Sequence, residues 1–209
     1  MDAAKKSTNG YVGNKPFQTF AWQVLNIGMR MYFHIEVIGR ENIPEGGCVV
    51  CVNHSNYSDP PLAALALGSK SFPAIMAKKE LFQSNRFFAK LISALGAFPI
   101  NREAADLTAI KTALKAIKGG QKLLIFPEGT RRRGEEDLAA KEGAALLAAK
   151  SRAPVLPIYL TENKKFRTHV RMIIGKPFFI TPDKTAEHPY RAASDQIIHT
   201  IYALKEGGV

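Results

Sequence analysis

The chain has 209 residues, 46% of them hydrophobic and 22% charged, which suits one domain with its own core and is too short for two generous ones. Twenty-nine Lys and Arg against 18 Asp and Glu leave a net charge of +11, and such an excess favours an anionic partner: nucleic acid, an acidic membrane surface or a phosphorylated substrate. Cys48 and Cys51 lie at an odd separation in one predicted strand, so they point to opposite faces and read as small buried hydrophobes, not as a disulfide or metal pair.

Residues 1–15 are polar, with Gly10, Gly13 and Asn14 breaking any periodicity; a loose terminus without a secretory signal is expected. Over 16–33, Thr19, Gln23, Asn26 and Arg30 recur at helical spacing as one narrow polar stripe, and Phe17, Phe20, Trp22, Leu25, Ile27, Met31 and Phe33 cover a broad apolar face. Such a helix is about 27 Å long, just short of the roughly 20 apolar residues a membrane span needs. It suits lying in a membrane interface, and equally suits packing on a core. Residues 1–34 are therefore set apart as a tail plus an amphipathic membrane-associating helix, and 35–209 as the main domain.

Strands are predicted at 34–39 and 48–52, the second leading through a polar turn to a helix at Pro60. A strand at 73–77, then Lys78-Lys-Glu-Leu-Phe82 and a helical stretch to Ala94 stopped by Gly96, and a strand at 98–102 follow. Leu107, Ile110, Leu114 and Ile117 mark a helix with Lys111, Lys115 and Lys118 on its solvated face, ended by Gly119 and Gly120. After a strand at 122–126 come Pro127-Glu-Gly-Thr-Arg-Arg-Arg133, a helix at 138–150, strands at 155–160 and near 170–174, and a C-terminal helix carrying Ile197, Ile198, Ile201 and Leu204. This alternation predicts an α/β fold, a mostly parallel or mixed central sheet layered with helices.

In such sheets ligands bind beyond the carboxyl ends of the strands. His54 and Asp59 follow one predicted strand end, and the turn between them folds the two side chains together, as an unbroken helix would not. A carboxylate that fixes the imidazole tautomer makes a general base able to activate a hydroxyl. The same spacing also suits a helix-capping aspartate beside a satisfied strand-end histidine. Arg102 ends a second strand, and Glu128, Gly129, Thr130 and Arg131 follow a third. Separately these suit a surface arginine and a solvated turn; together they make one edge fit to hold a phosphate monoester beside a reacting hydroxyl.

His54-Ser-Asn-Tyr-Ser-Asp59, Gly96-Ala-Phe-Pro-Ile-Asn-Arg102, Phe126-Pro-Glu-Gly-Thr-Arg131 and Val155-Leu-Pro-Ile158, in that order, resemble the four blocks of the glycerolipid acyltransferases, over roughly residues 35–180. Ala77-Lys-Lys-Glu-Leu81 and Lys141-Glu-Gly143 resemble connecting segments of that family, and Asn101 stands where many members carry Asp. The resemblance implies that His54 is the base, that Asp59 orients it, and that Lys78, Arg102, Glu128, Gly129, Thr130 and Arg131 bind the acceptor. It implies transfer of an acyl group from acyl-CoA or acyl carrier protein to the hydroxyl of lysophosphatidate at the cytoplasmic face of the membrane, with no metal or cofactor. No Gly-x-Ser-x-Gly elbow surrounds Ser55 or Ser58, consistent with direct transfer. Other acceptors are glycerol 3-phosphate, another lysophospholipid or an aminolipid. A non-catalytic basic membrane-binding or nucleic-acid-binding module is the contrasting reading, but the basic residues are scattered and no nucleic-acid motif accompanies them.

Overall fold

The computed structural model describes residues 10–83, 85–101, 106–129 and 140–206. Its centre is a seven-stranded sheet, β1 (His34–Ile38), β2 (Val49–Val52), β3 (Ala74–Lys78), β4 (Ala97–Ile100), β5 (Leu123–Ile125), β6 (Val155–Leu160) and β7 (His169–Ile174), in the order β1-β7-β6-β2-β5-β3-β4. Strands β6, β2, β5, β3 and β4 run parallel, so their carboxyl ends share one edge. Residues 161–168, too few for the dozen or more that a parallel crossover needs, return β7 antiparallel to β6, and β1 then pairs parallel to β7. The sheet is therefore mixed, within the sequence expectation.

Period-two alternation divides the strands between two helical layers. Val50 and Val52 of β2, with Leu156, Ile158 and Leu160 of β6, face α1 (Lys15–Tyr32) and α2 (Asp59–Leu67); Val49, Cys51, Val155 and Tyr159 face α4 (Leu107–Lys118), α5 (Gly143–Ser151) and α6 (Arg191–Glu206). Cys48 and Cys51 fall in opposite layers, both free thiols and fully buried. Alanines on α4 and α5, at positions 109, 113, 116, 144, 145 and 148, let those helices sit close to the sheet. Helix α3 (Arg86–Ala94), beside β4, buries none of its residues.

Several boundaries differ from the sequence reading. Residues 10–14 are docked, not loose: Gln121 Oε1 accepts from Val12 N–H at 2.8 Å, Asn14 N–H donates to Ala94 O at 2.9 Å, and the Asn14 side chain caps α1 at Phe17 N–H. Gly13, at φ 104°, passes so near Gln18 that a Cβ would lie 2.1 Å from its Nε2. Lys79–Phe82 form a 3₁₀ turn, and the helical stretch that runs to Ala94 is α3, started where the Asn85 side chain caps Phe87 and Phe88. Strand β4 ends at Ile100, and α5 begins at Gly143; Leu138, the expected start, lies outside the described residues.

Helix α1 divides its apolar surface between the core and the exterior. Trp22, Leu25 and Met29 pack with Phe33 against the α2 layer. Phe20, Val24, Ile27 and Met31, one turn apart along a neighbouring stripe, are 62%, 54%, 63% and 78% exposed. No helix among the described residues is long and apolar enough to cross a membrane.

Candidate active site

The shared carboxyl edge gathers three chain segments around His54. Strand β2 is wholly buried and delivers Asn53 and His54 at its end; the Asn53 amide donates to Leu160 O at 2.9 Å and accepts from Leu160 N–H at 2.7 Å, replacing the ladder bonds where β2 and β6 part. The turn at 55–58 then brings Asp59, fully buried at the start of α2, back under the imidazole, with Pro60 and Pro61 where a first helical turn tolerates them. Asp59 Oδ2 lies 2.9 Å from His54 Nδ1 and accepts from the N–H groups of Ser55 and Asn56 at 2.7 and 2.6 Å.

Asp59 Oδ1 faces the ammonium of Lys164 at 2.7 Å, in an ion pair whose two side chains have no solvent exposure. Burial by itself would push the Asp59 carboxyl up. The hydrogen bond with His54, the Lys164 charge and the Asn56 N–H outweigh it and hold the group below the usual carboxylate value. Asp59 is thus the acceptor in this contact, and His54 Nδ1 donates to it. The ring also stacks on Phe126 at 4.1 Å with 24° between planes.

The third segment is the turn after β5. Glu128, 8% exposed, accepts the His54 backbone N–H at 3.1 Å through Oε2 and the Tyr202 hydroxyl at 2.6 Å through Oε1, tying α6 to the histidine's own backbone. Gly129 turns at φ 73°, where a Cβ would also crowd Lys141 Cγ at 2.9 Å. The structure therefore brings His54, Asp59 and Glu128 into one cluster with Gly129 following in the same turn. Lys78 ends β3 at the same edge with an exposed side chain. Arg102, Thr130 and Arg131 lie outside the described residues. Where the Arg102 segment begins, Asp106 accepts from Asn101 N–H at 3.0 Å and Ala109 N–H at 2.9 Å, and these bonds hold its carboxyl below the usual range. A cleft of about 370 Å³ opens there, between Lys79, Phe98, Asn101 and Asp106.

Sequence reasoning missed Asn53, Lys164 and Tyr202 as parts of this cluster. Nothing local marks them: Lys164 is 109 residues from Ser55, whose hydroxyl it reaches at 3.2 Å, and Tyr202 is 74 residues from Glu128. A further cleft, of about 380 Å³ between Tyr11, Glu45, Lys70 and Lys122, lies at the opposite edge of the sheet, where Lys122 is spent on the carbonyls of Pro44 and Gly46.

The fold and site are thus those of an α/β protein with a histidine–carboxylate corner at the carboxyl ends of a largely parallel sheet. The chain belongs to the Acyltransferase family, whose model matches residues 34–161. It is 32% identical over 165 residues to the 1-acyl-sn-glycerol-3-phosphate acyltransferase of Bacillus subtilis, covering 76% of this chain and 80% of the relative. It is 34% identical over 142 residues to the enzyme of the same name from Streptococcus pneumoniae, covering 65% of this chain and 52% of that one. The crystal structure of the 1-acyl-sn-glycerophosphate acyltransferase from Thermotoga maritima matches with a TM-score of 0.63 at 24% identity, over 92% of this chain and 78% of the other, and shares its fold.

Proposed function

We propose that this protein transfers a fatty acyl group from a thioester of coenzyme A or acyl carrier protein to the free hydroxyl of lysophosphatidate, giving phosphatidate, with His54 as general base. The observation that carries the reading is the His54–Asp59 contact at 2.9 Å, in a family whose relatives are named for this reaction. His54 Nε2 takes the proton of the acceptor hydroxyl as its oxygen attacks the thioester carbonyl; collapse of the tetrahedral species breaks the C–S bond, and the imidazolium returns the proton to the departing sulfur. A thioester needs no covalent acyl-enzyme, and no metal or cofactor is required for these steps. General-base help is worth roughly 10²- to 10⁴-fold, and holding the two substrates together supplies much of the rest.

Glu128 is assigned to fixing the His54 backbone, since both its oxygens are engaged within the protein. Lys78 at the strand edge and the turn beginning at Gly129 are assigned to the acceptor phosphate, together with Arg102, Thr130 and Arg131 on the family resemblance. The exposed α1 stripe and the net charge of +11 support peripheral attachment to the anionic cytoplasmic face of a membrane, where the acceptor resides.

The test is product identification by mass spectrometry with lysophosphatidate and mixed acyl thioesters, for the wild type and His54→Ala. Phosphatidate from the wild type and a rate reduced by about 10³-fold or more in a folded variant are expected. Undiminished transfer by folded His54→Ala overturns the assignment of the base.

A further inference from the structure

We propose that Lys164 is a positioning residue for acyl transfer: its buried ammonium, opposite His54 across the Asp59 carboxylate, balances that carboxylate so that the imidazole stays neutral and able to accept a proton. The inference rests on His54 being the base. Burial and saturation of the group set it apart from an ordinary surface lysine. Its side chain has no solvent exposure; its nitrogen donates to Thr161 O at 2.6 Å and Ser55 Oγ at 3.2 Å, and pairs with the charge of Asp59 Oδ1 at 2.7 Å. A charge buried this deeply is costly to keep unless it is paired.

The electrostatic consequence follows from the order of the groups. A buried carboxylate 2.9 Å from an imidazole favours the imidazolium, which has no lone pair left with which to take a proton. Placing a cation on the other oxygen offsets that bias while leaving Oδ2 to orient Nδ1 and the N–H groups of Ser55 and Asn56. The remaining ionisable groups around the corner are otherwise engaged: Glu128, from the turn after β5, is held by His54 N–H and by Tyr202 of α6, and Glu162 turns outward to Lys205 at 3.6 Å. Lys164 is therefore the cation against Asp59 among the described residues.

The experiment is the pH profile of kcat/KM for wild type, Lys164→Met and Lys164→Gln, with circular dichroism on each. Removing the cation should move the acid limb upward by about one pH unit or more, and lower the rate at pH 7 accordingly, in any folded variant. Glutamine, which keeps hydrogen-bonding capacity without charge, should show the same shift; a limb that stays in place in a folded variant overturns the proposal. Should neither variant fold, ¹⁵N spectra of the His54 imidazole in the unaltered protein decide: the neutral Nδ1–H tautomer at pH 7.5 supports the proposal, and an imidazolium at that pH overturns it. Failure of His54→Ala to lose activity sinks the base assignment itself, and so is distinguishable from failure of the lysine's role.

Discussion

Replacing Asp59 with asparagine preserves the shape of the corner and removes its negative charge, leaving the Lys164 ammonium buried without an anion. Breaking a buried pair from one side costs about 3–5 kcal/mol. Both partners are fully out of solvent here, and the carboxylate also accepts from His54, Ser55 and Asn56, so the upper part of that range applies. That loss is a large share of the roughly 5–15 kcal/mol that holds a typical domain folded, and it should lower a urea midpoint by roughly 1–2 M at pH 7. Because the Asp59 carboxyl sits below its ordinary value in the folded protein, its contribution is present above the usual carboxylate range near pH 4 and drains away as pH falls through the folded value. The gap between wild type and Asp59→Asn should therefore be widest near neutrality and narrow as the pH falls below the usual carboxylate range. A cost below about 1 kcal/mol at pH 7, or a gap that stays constant on acidification, would refute the account of this pair.

Two other outcomes are expected. Changing Phe20, Ile27 and Met31 together to serine should weaken flotation with anionic vesicles at least tenfold, since each side chain offers about 1.5–3 kcal/mol of burial, while the melting temperature stays nearly unchanged because all three are already exposed. Burial pushes the Cys48 thiol up to about 12 and Cys51 higher still, so neither should react with an aromatic disulfide reagent at pH 8 until urea unfolds the chain, when both should; rapid labelling of the native protein would contradict the packing of β2.

The alternation of strand and helix was legible because each buried strand is a short apolar run bounded by turn residues, and because the α4 lysines mark a clear outer face. The reversal at β7 was also written in the chain, in the short link at 161–168, but strand order is a tertiary property that no local pattern encodes. His54 and Asp59 could be read together because a four-residue turn joins them. Lys164 could not: in the sequence it is half of a lysine pair, indistinguishable from the scattered surface charge, and its neighbour Lys165 differs from it in which way the chain turns after β6. The α1 helix was ambiguous for a physical reason, since a broad apolar face serves a core and an outer surface at once, and only the packed neighbours decide where one ends.

The distance along the chain between Ser55 and Lys164 has a bearing on biosynthesis. A nascent polypeptide that has left the ribosome as far as the end of α5 already carries the histidine and its carboxylate, yet lacks the strand, the counter-charge and the tyrosine-bearing helix that complete their surroundings. The surroundings of this corner are thus completed late, once β6, Lys164 and α6 have closed over what His54 and Asp59 laid down.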